Sequence, residues 1–233
     1  MQRFILNPQF NNLSEYKLKY TDILTYITIR SFYNTQDKYC YPSYQTISKR
    51  SGLSKKFISE SIKRLECAGF LDVWKIGKFH VTHYYRFPKQ EPLQKISDEI
   101  FECNDLTASE KSMLLIIAEY RNSSNRCEKS ISELSGFTGL TVRVLNQQIK
   151  SLILKGYLAK ELEENLLDKT LTTYLKLTDK LRWNFPGNSS FTVLRVETPE
   201  PPSGTHPIVD MAMNMLRPLK ARRQIIQIFL RRT

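Results

Sequence analysis

Two segments of this chain carry the same residue pattern, and a shift of 87 residues superimposes one on the other without a gap. The correspondence runs from Ile29 and Ile116 to Leu71 and Leu158. A repeat of this length is too long for the unit of a solenoid and indicates a duplicated domain. The chain is therefore expected to fold into two similar halves.

The first copy has the signals of a helix-turn-helix. Apolar periodicity predicts a helix over residues 20–34, and Ser43 is predicted to be the N-cap of a short second helix. Gly52 can adopt the left-handed conformation that ends a helix, and Ser54 can cap a third helix over 55–68. That third helix has one apolar stripe, formed by Ile58, Ile62 and Leu65.

Strands follow the third helix. Residues 70–76 and 79–87 are rich in aromatic and β-branched residues and are joined by Gly77-Lys78, which predicts a β-hairpin, or wing. In the second copy, capping boxes are predicted at 107–110 and 130–133, and strands at 158–163 and 170–177. The inward stripe of its third helix is Leu145, Ile149 and Leu152.

These patterns predict a mainly α fold with small β wings (α+β), with two tandem winged helix-turn-helix domains and a basic C-terminal extension. The first domain is expected over residues 1–90 and the second over 91–181, with a connecting helix at 93–103. Residues 182–233 are expected to form a flexible linker and a basic, partly helical tail, because breaker-rich segments interrupt them.

Composition limits the classes of environment and partner that suit this chain. No stretch is apolar for long enough to predict a membrane span. The four cysteines are scattered without a C-x-x-C pair, which favours reduced, buried cysteines in a cytoplasmic protein over a disulfide frame or a zinc site. The net charge of +12 favours a polyanionic partner.

The charge is unevenly distributed. Residues 15–88 hold 13 Lys/Arg against 6 Asp/Glu, whereas residues 98–182 hold 12 against 13. The last 17 residues add six basic residues and no acidic one. The two copies are thus alike in pattern but unequal in charge.

The third helix of each copy is expected to enter the major groove of double-stranded DNA. In copy two, Arg143 suits guanine, while Asn146 and Gln147 carry the paired donor and acceptor that suit adenine. The lysines are expected to hold phosphates. The predicted DNA-binding residues are Lys55, Lys56, Ser59, Lys63, Lys75, Lys78, Arg143, Asn146, Gln147 and Lys150. The further outward positions are Phe57, Glu60, Val142 and Val144.

Two alternatives stay open. Copy two either reads DNA or binds a protein, since its acidic segment 161–168 would repel phosphate if it faced the duplex. The tail over 208–230 is either an arm that adds phosphate contacts or an amphipathic segment that docks on a partner protein or a second copy.

No catalytic motif is present, so the sequence predicts no enzyme and no cofactor. His80 and His83 lie three residues apart on a predicted strand, which puts them on opposite faces, and no acidic or cysteine cluster accompanies them. No metal site is therefore predicted.

The run Tyr41-Pro-Ser-Tyr-Gln-Thr-Ile-Ser-Lys-Arg-Ser-Gly-Leu-Ser-Lys-Lys-Phe-Ile-Ser-Glu-Ser-Ile-Lys-Arg-Leu-Glu-Cys-Ala-Gly-Phe-Leu71 resembles the N-terminal winged-helix domains of phage and plasmid replication initiators and replisome organisers. Residues 20–87 match that frame well. Residues 107–177 match it more loosely, with Lys129 in place of the proline and Phe137 in place of Arg50.

The resemblance implies double-stranded DNA binding in replication initiation or transcription regulation of a phage or plasmid-like element, with a replication or transcription protein as a further partner. The alternative is an assembly module that binds nucleic acid without sequence choice. If the two copies are related by translation, a direct repeat is the natural DNA target.

Overall fold

The computed structural model describes residues 4–10, 13–77, 81–88, 93–164 and 171–185, all of which belong to one compact unit. Its helices are α1 Asp22–Arg30, α2 Tyr44–Ser51, α3 Lys55–Cys67, α4 Ala108–Glu119, α5 Ile131–Thr138 and α6 Val142–Leu154. A 3-10 helix spans Asp98–Phe101. The strands are β1 Phe4–Pro8, β2 Asp72–Ile76, β3 Thr82–Arg86, β4 Leu93–Ser97, β5 Leu158–Glu164 and β6 Leu171–Leu177.

Local capping explains how α2 and α3 meet. The Ser43 hydroxyl accepts a hydrogen bond from the Thr46 backbone N–H, and Ser54 does the same for Phe57. Between the helices, Gly52 has a φ of 77°, a conformation in which a side chain would be strained. Both predicted caps and the predicted turn are confirmed, and so is the buried stripe of Ile58, Ile62 and Leu65.

Strands β2 and β3 form the predicted antiparallel hairpin, with Trp74 opposite Tyr84. Cys40 joins its edge, because its N–H donates to the Tyr85 carbonyl and its carbonyl accepts from the Tyr85 N–H. Tyr85 is fully buried, so this face of the hairpin covers the helices. Residues 78–80 at the tip lie outside the described residues.

The second half keeps the 87-residue spacing at the level of structure. Helices α5 and α6 begin and end 87 residues after α2 and α3. Capping boxes at Thr107 and Ser130 are present as predicted, and Gly139 has a φ of 67°. The predicted stripe of Leu145, Ile149 and Leu152 is buried. Strands β5 and β6 pair as an antiparallel hairpin.

Two secondary-structure predictions were wrong. The first helix spans only Asp22–Arg30 instead of 20–34, since hydrogen-bonded turns follow Arg30. The connecting helix predicted at 93–103 is a strand, β4, followed by the 3-10 helix Asp98–Phe101. Strand β4 pairs with β1 near the N-terminus, a long-range contact that overrides local helical preference.

The two halves share one hydrophobic core. Helix α1 packs against α4, and buried residues of both helices belong to the same cluster. The Phe10 backbone N–H donates to the Glu119 side-chain oxygen Oε1 at 2.6 Å, and the Gln94 side chain donates to the Ala118 carbonyl at 3.0 Å. These contacts tie the N-terminal segment and β4 to α4.

The beginning of the predicted flexible tail is ordered by packing. Trp183 and Phe185 are buried, and the Arg121 guanidinium donates to the Trp183 carbonyl at 2.8 Å. The prediction that residues from 182 onward are flexible was therefore wrong for 182–185, and residues 186–233 lie outside the described residues. None of the described helices is long and apolar enough to cross a membrane.

All four cysteines are free, as predicted. Cys40 and Cys127 are buried, but Cys67 is exposed and Cys103 is half-buried. The prediction of four buried cysteines was wrong for these two, because Cys67 ends α3 on its solvent side and Cys103 follows the 3-10 helix.

Candidate nucleic-acid interface

Helix α3 presents a basic face to solvent. Lys55, Lys56 and Lys63 are exposed, and Ser59 between them is half-buried. Within the described part of the chain, none of these four side chains is engaged in a hydrogen bond or ion pair. Their polar groups are therefore free to bind an external anion.

An ion pair holds α3 against α1. The Arg64 guanidinium donates two hydrogen bonds of 2.8 Å to the fully buried Asp22 carboxylate, which stands at the start of α1. The hydrogen bonds to Asp22 raise the pKa of Arg64. Phe57 was predicted to face outward, but it is half-buried against the core and lies 5.4 Å from the Arg64 guanidinium. Glu60 is exposed.

The first hairpin adds one described lysine to this region. Lys75 is exposed on β2, opposite His83 on β3. The His83 ring stacks on Tyr44 of α2 at 5.0 Å, and partial burial together with Lys75 lowers its pKa. Lys78, and His80 of the rejected metal pair, lie outside the described residues. The described residues contain no group of His, Cys, Asp and Glu that could hold a metal.

Helix α6 presents a different face at the equivalent positions. Arg143, Asn146, Gln147 and Lys150 are exposed, and none of them forms a hydrogen bond or ion pair with another described residue. The four side chains lie on the side of α6 opposite its buried stripe. The arrangement offers hydrogen-bond donors and acceptors instead of a purely basic surface.

Two apolar side chains on α6 were predicted to face outward but were not included among the predicted DNA-binding residues. Val142 is 46% exposed and Val144 is 39% exposed, so both flank Arg143 on the solvent face. In any helix that enters the major groove, exposed apolar groups can contact the methyl group of thymine. The available signal was their β-branched character at outward positions of an otherwise polar helix face.

The acidic hairpin of the second half is partly neutralised. The Arg126 guanidinium donates to Glu161 at 2.6 Å and to Glu163 at 2.8 Å. These contacts, with Lys176 at 3.5 Å from Glu161, lower the pKa of Glu161. Part of the acidic segment is therefore charge-compensated, while residues 165–170 lie outside the described residues.

Arg50, the residue that Phe137 replaces in the second copy, points to the junction between the halves. Its guanidinium forms a 2.6 Å ion pair with Asp98 and lies 4.4 Å from the centre of the Phe101 ring. Phe137 instead stacks on Tyr120, with ring centres 5.1 Å apart. The replacement of Arg50 by Phe137 therefore changes packing contacts and leaves the exposed faces of α3 and α6 as they are.

Comparison with known proteins gives a family match for the first half of the fold. A family described as a helix-turn-helix domain matches residues 16–71, a segment that contains α1, α2 and α3. No curated protein matches the chain. The matched segment carries the capped turn and the basic face of α3, so residues 16–71 form a helix-turn-helix domain, which suggests DNA binding.

Proposed function

We propose that the chain binds double-stranded DNA through two tandem winged helices, with α3 and α6 as the groove-facing helices. The observation that carries the proposal is the unengaged lysine face of α3, formed by Lys55, Lys56 and Lys63, on a domain that matches a helix-turn-helix family. A helix-turn-helix places its second helix in the major groove, where such lysines meet phosphates.

The second winged helix is supported by repeated local geometry. The Ser48 hydroxyl donates to the Leu53 carbonyl at 2.7 Å, and Ser135 donates to Leu140 at 2.6 Å. These bonds lie 87 residues apart and brace the same turn in each half. The proposed domains remain residues 1–90 and 91–181, and each hairpin acts as a wing.

The residues have different proposed tasks. Lys55, Lys56, Lys63 and Lys150 hold phosphates, with Ser59 beside them, and Lys75 and Lys78 extend the contact from the first wing. Arg143, Asn146 and Gln147 read bases, because bidentate side chains on an exposed helix face can discriminate guanine and adenine. The first half thus supplies most of the affinity and the second half most of the sequence choice.

The biological role that fits this arrangement is replication initiation or transcriptional control in a phage or plasmid-like element. It rests on the resemblance of residues 20–87 to the winged helices of replication proteins. Joint reading by two linked domains suits a protein that must locate one extended site among many non-specific ones.

The test is DNA binding by the full chain as a function of salt. Changing Lys55 or Lys63 to Ala should weaken binding to every duplex and lower the salt slope by about 1 for each lost phosphate contact. Lys180→Ala is the matched control, because Lys180 already pairs with Asp105 at 3.2 Å. Equal effects of all three changes would contradict the proposed interface.

A second candidate is an assembly module that binds nucleic acid without sequence choice. The observation that favours it is apolar exposure on the second half, since Leu154 is 86% exposed and Leu162 is 67% exposed. Such residues suit a protein partner. Changing Asn146 and Gln147 to Ala separates the two functions: sequence preference changes if these residues read bases and stays the same if the second half binds protein.

A further inference from the structure

The pairing of β1 with β4 has a symmetric register under the 87-residue shift. Asn7 lies opposite Gln94, which is its own equivalent 87 residues later. On one side of this pair, Leu6 lies opposite Lys95, and on the other side Pro8 lies opposite Leu93. Since Lys95 is the equivalent of Pro8 and Leu93 the equivalent of Leu6, the two pairs are interchanged by exchanging the copies.

Shifted by 87 residues, β1 covers positions 91–95, of which 93–95 lie in β4. Antiparallel pairing about a central self-equivalent pair is the pattern that a twofold axis produces. A translation cannot produce it, because translated strands run parallel. Asn7 is fully buried at this centre, which places the relation inside the fold instead of at a loose end. The register was not encoded in the repeat itself, since the repeat specifies only which residues correspond.

Contacts made by the helices also run in both directions between the two halves. Helix α1 packs against α4, its own equivalent. The Tyr20 hydroxyl, just before α1, accepts a 3.1 Å hydrogen bond from Gln148 of α6. Conversely, Ala108 at the start of α4 lies beside Gly52 in the turn before α3. The Ala108 Cβ is 4.0 Å from the position that a Cβ on Gly52 would occupy.

In each half, therefore, a residue at or just before the start of the first helix lies next to the helix-turn-helix of the other half, although one contact is to α6 and the other is to the turn before α3. A head-to-tail arrangement would give this contact in one direction only, because it joins two different surfaces. The strand register and the helix contacts are independent observations, and they agree on a twofold relation.

We infer that the two halves form a covalent pseudo-dimer whose DNA target is a pair of inverted half-sites, not a direct repeat. This inference rests on the proposed DNA-binding function. Groove-facing helices related by a twofold axis meet a duplex in opposite directions, and the half-sites are expected about one helical turn, or a multiple of it, apart. Because α3 and α6 expose different residues, the two half-sites differ in sequence. The target therefore does not read as an inverted repeat.

Grafting one helix face onto the other reveals the orientation. Four exposed residues of α6 are replaced by their α3 equivalents: Val142→Lys, Arg143→Lys, Asn146→Ser and Gln147→Glu. Lys150 already matches Lys63, and the core-facing stripe is untouched. Both helices of this variant then present nearly the same face, so they should choose nearly the same half-site.

The experiment selects binding sites for the full-length grafted chain from random duplexes, with the parent chain selected in parallel. The expected result is one half-site present twice in inverted orientation. Recovery of a direct repeat, or of one half-site without a second, overturns the inference. If the parent chain retains no duplex even at low salt, DNA binding itself fails, which is a separate outcome from a wrong orientation.

A second measurement does not depend on the graft. Cys67 and Leu154 are equivalent, exposed positions at the ends of α3 and α6. A DNA-cleaving iron chelate is attached either to Cys67 or, after Cys67→Ser and Leu154→Cys, to the second helix, with Cys103→Ser in both proteins. Cleavage on mirrored sides of the two half-sites is expected. Cleavage on the same side of both half-sites overturns the twofold arrangement.

Discussion

Removing Arg64 should cost far more stability than an ordinary surface change, because it leaves a buried carboxylate without its cation. The Asp22 side chain is 0% exposed and accepts two 2.8 Å hydrogen bonds from Arg64, while its one other described donor is the Lys19 N–H at 2.8 Å. Breaking a buried pair by removing one partner costs about 3–5 kcal/mol. Arg64→Met keeps an unbranched side chain at this position and should fall in that range.

The reverse change should be milder. Asp22→Asn retains an acceptor for Lys19, and the Arg64 side chain is 21% exposed, so water can solvate its charge. Loss of about 1–3 kcal/mol is expected from the missing charged hydrogen bonds. The double variant should cost less than the sum of the two single changes, because the residues act as one unit.

The assay is urea unfolding at constant pH, with the slope checked for each variant. Lys129→Met is the control, because its 3.1 Å pair with Glu133 is exposed and should contribute little to stability. The argument is refuted if Arg64→Met costs no more than the control. It is also refuted if the two single changes add within about 0.5 kcal/mol.

Two further predictions concern the junction and the second turn. Burial raises the pKa of Glu119 from 4.5 to about 8, so the folded chain keeps this proton where the unfolded chain loses it. The free energy of unfolding should therefore fall as the pH rises from 4.5 to 8. Glu119→Gln should remove this pH dependence and add up to about 3 kcal/mol of stability at pH 7. Unfolding measured across this pH range checks both effects. Gly139→Ala should cost about 1–2 kcal/mol because φ is 67°, while Gly136→Ala inside α5, where a Cβ meets nothing within 4 Å, should stabilise by about 0.5–1 kcal/mol. Thermal melts of both glycine variants check the sign, and an equal effect would contradict the role of the left-handed turn.

Much of the candidate site is readable from sequence because its determinants are local. The caps at Ser43 and Ser54 and the turn at Gly52 act within a few residues, so they set the limits of α2 and α3. The apolar stripe of α3 then decides which lysines face solvent. Exposure of the predicted base-reading residues of α6 follows from the same periodicity.

Arginine contacts are not readable in this way. Arg50, Arg64 and Arg126 look alike in a basic sequence, yet each is engaged with an acidic residue at least 35 positions away. Only tertiary packing separates them from the free lysines of α3. The same packing converts a repelling acidic hairpin into a partly neutral one.

The repeat dictates that the two halves have the same local structure, since caps, turns and apolar stripes of the same kind at the same spacing produce the same helices wherever they occur. It says nothing about how the halves face each other. That choice belongs to β1 and β4, whose pairing depends on residues nearly 90 positions apart and on the burial of both strands against α1 and α4. Orientation is a property of long-range contacts, and under the proposed DNA-binding function it selects between a direct and an inverted target.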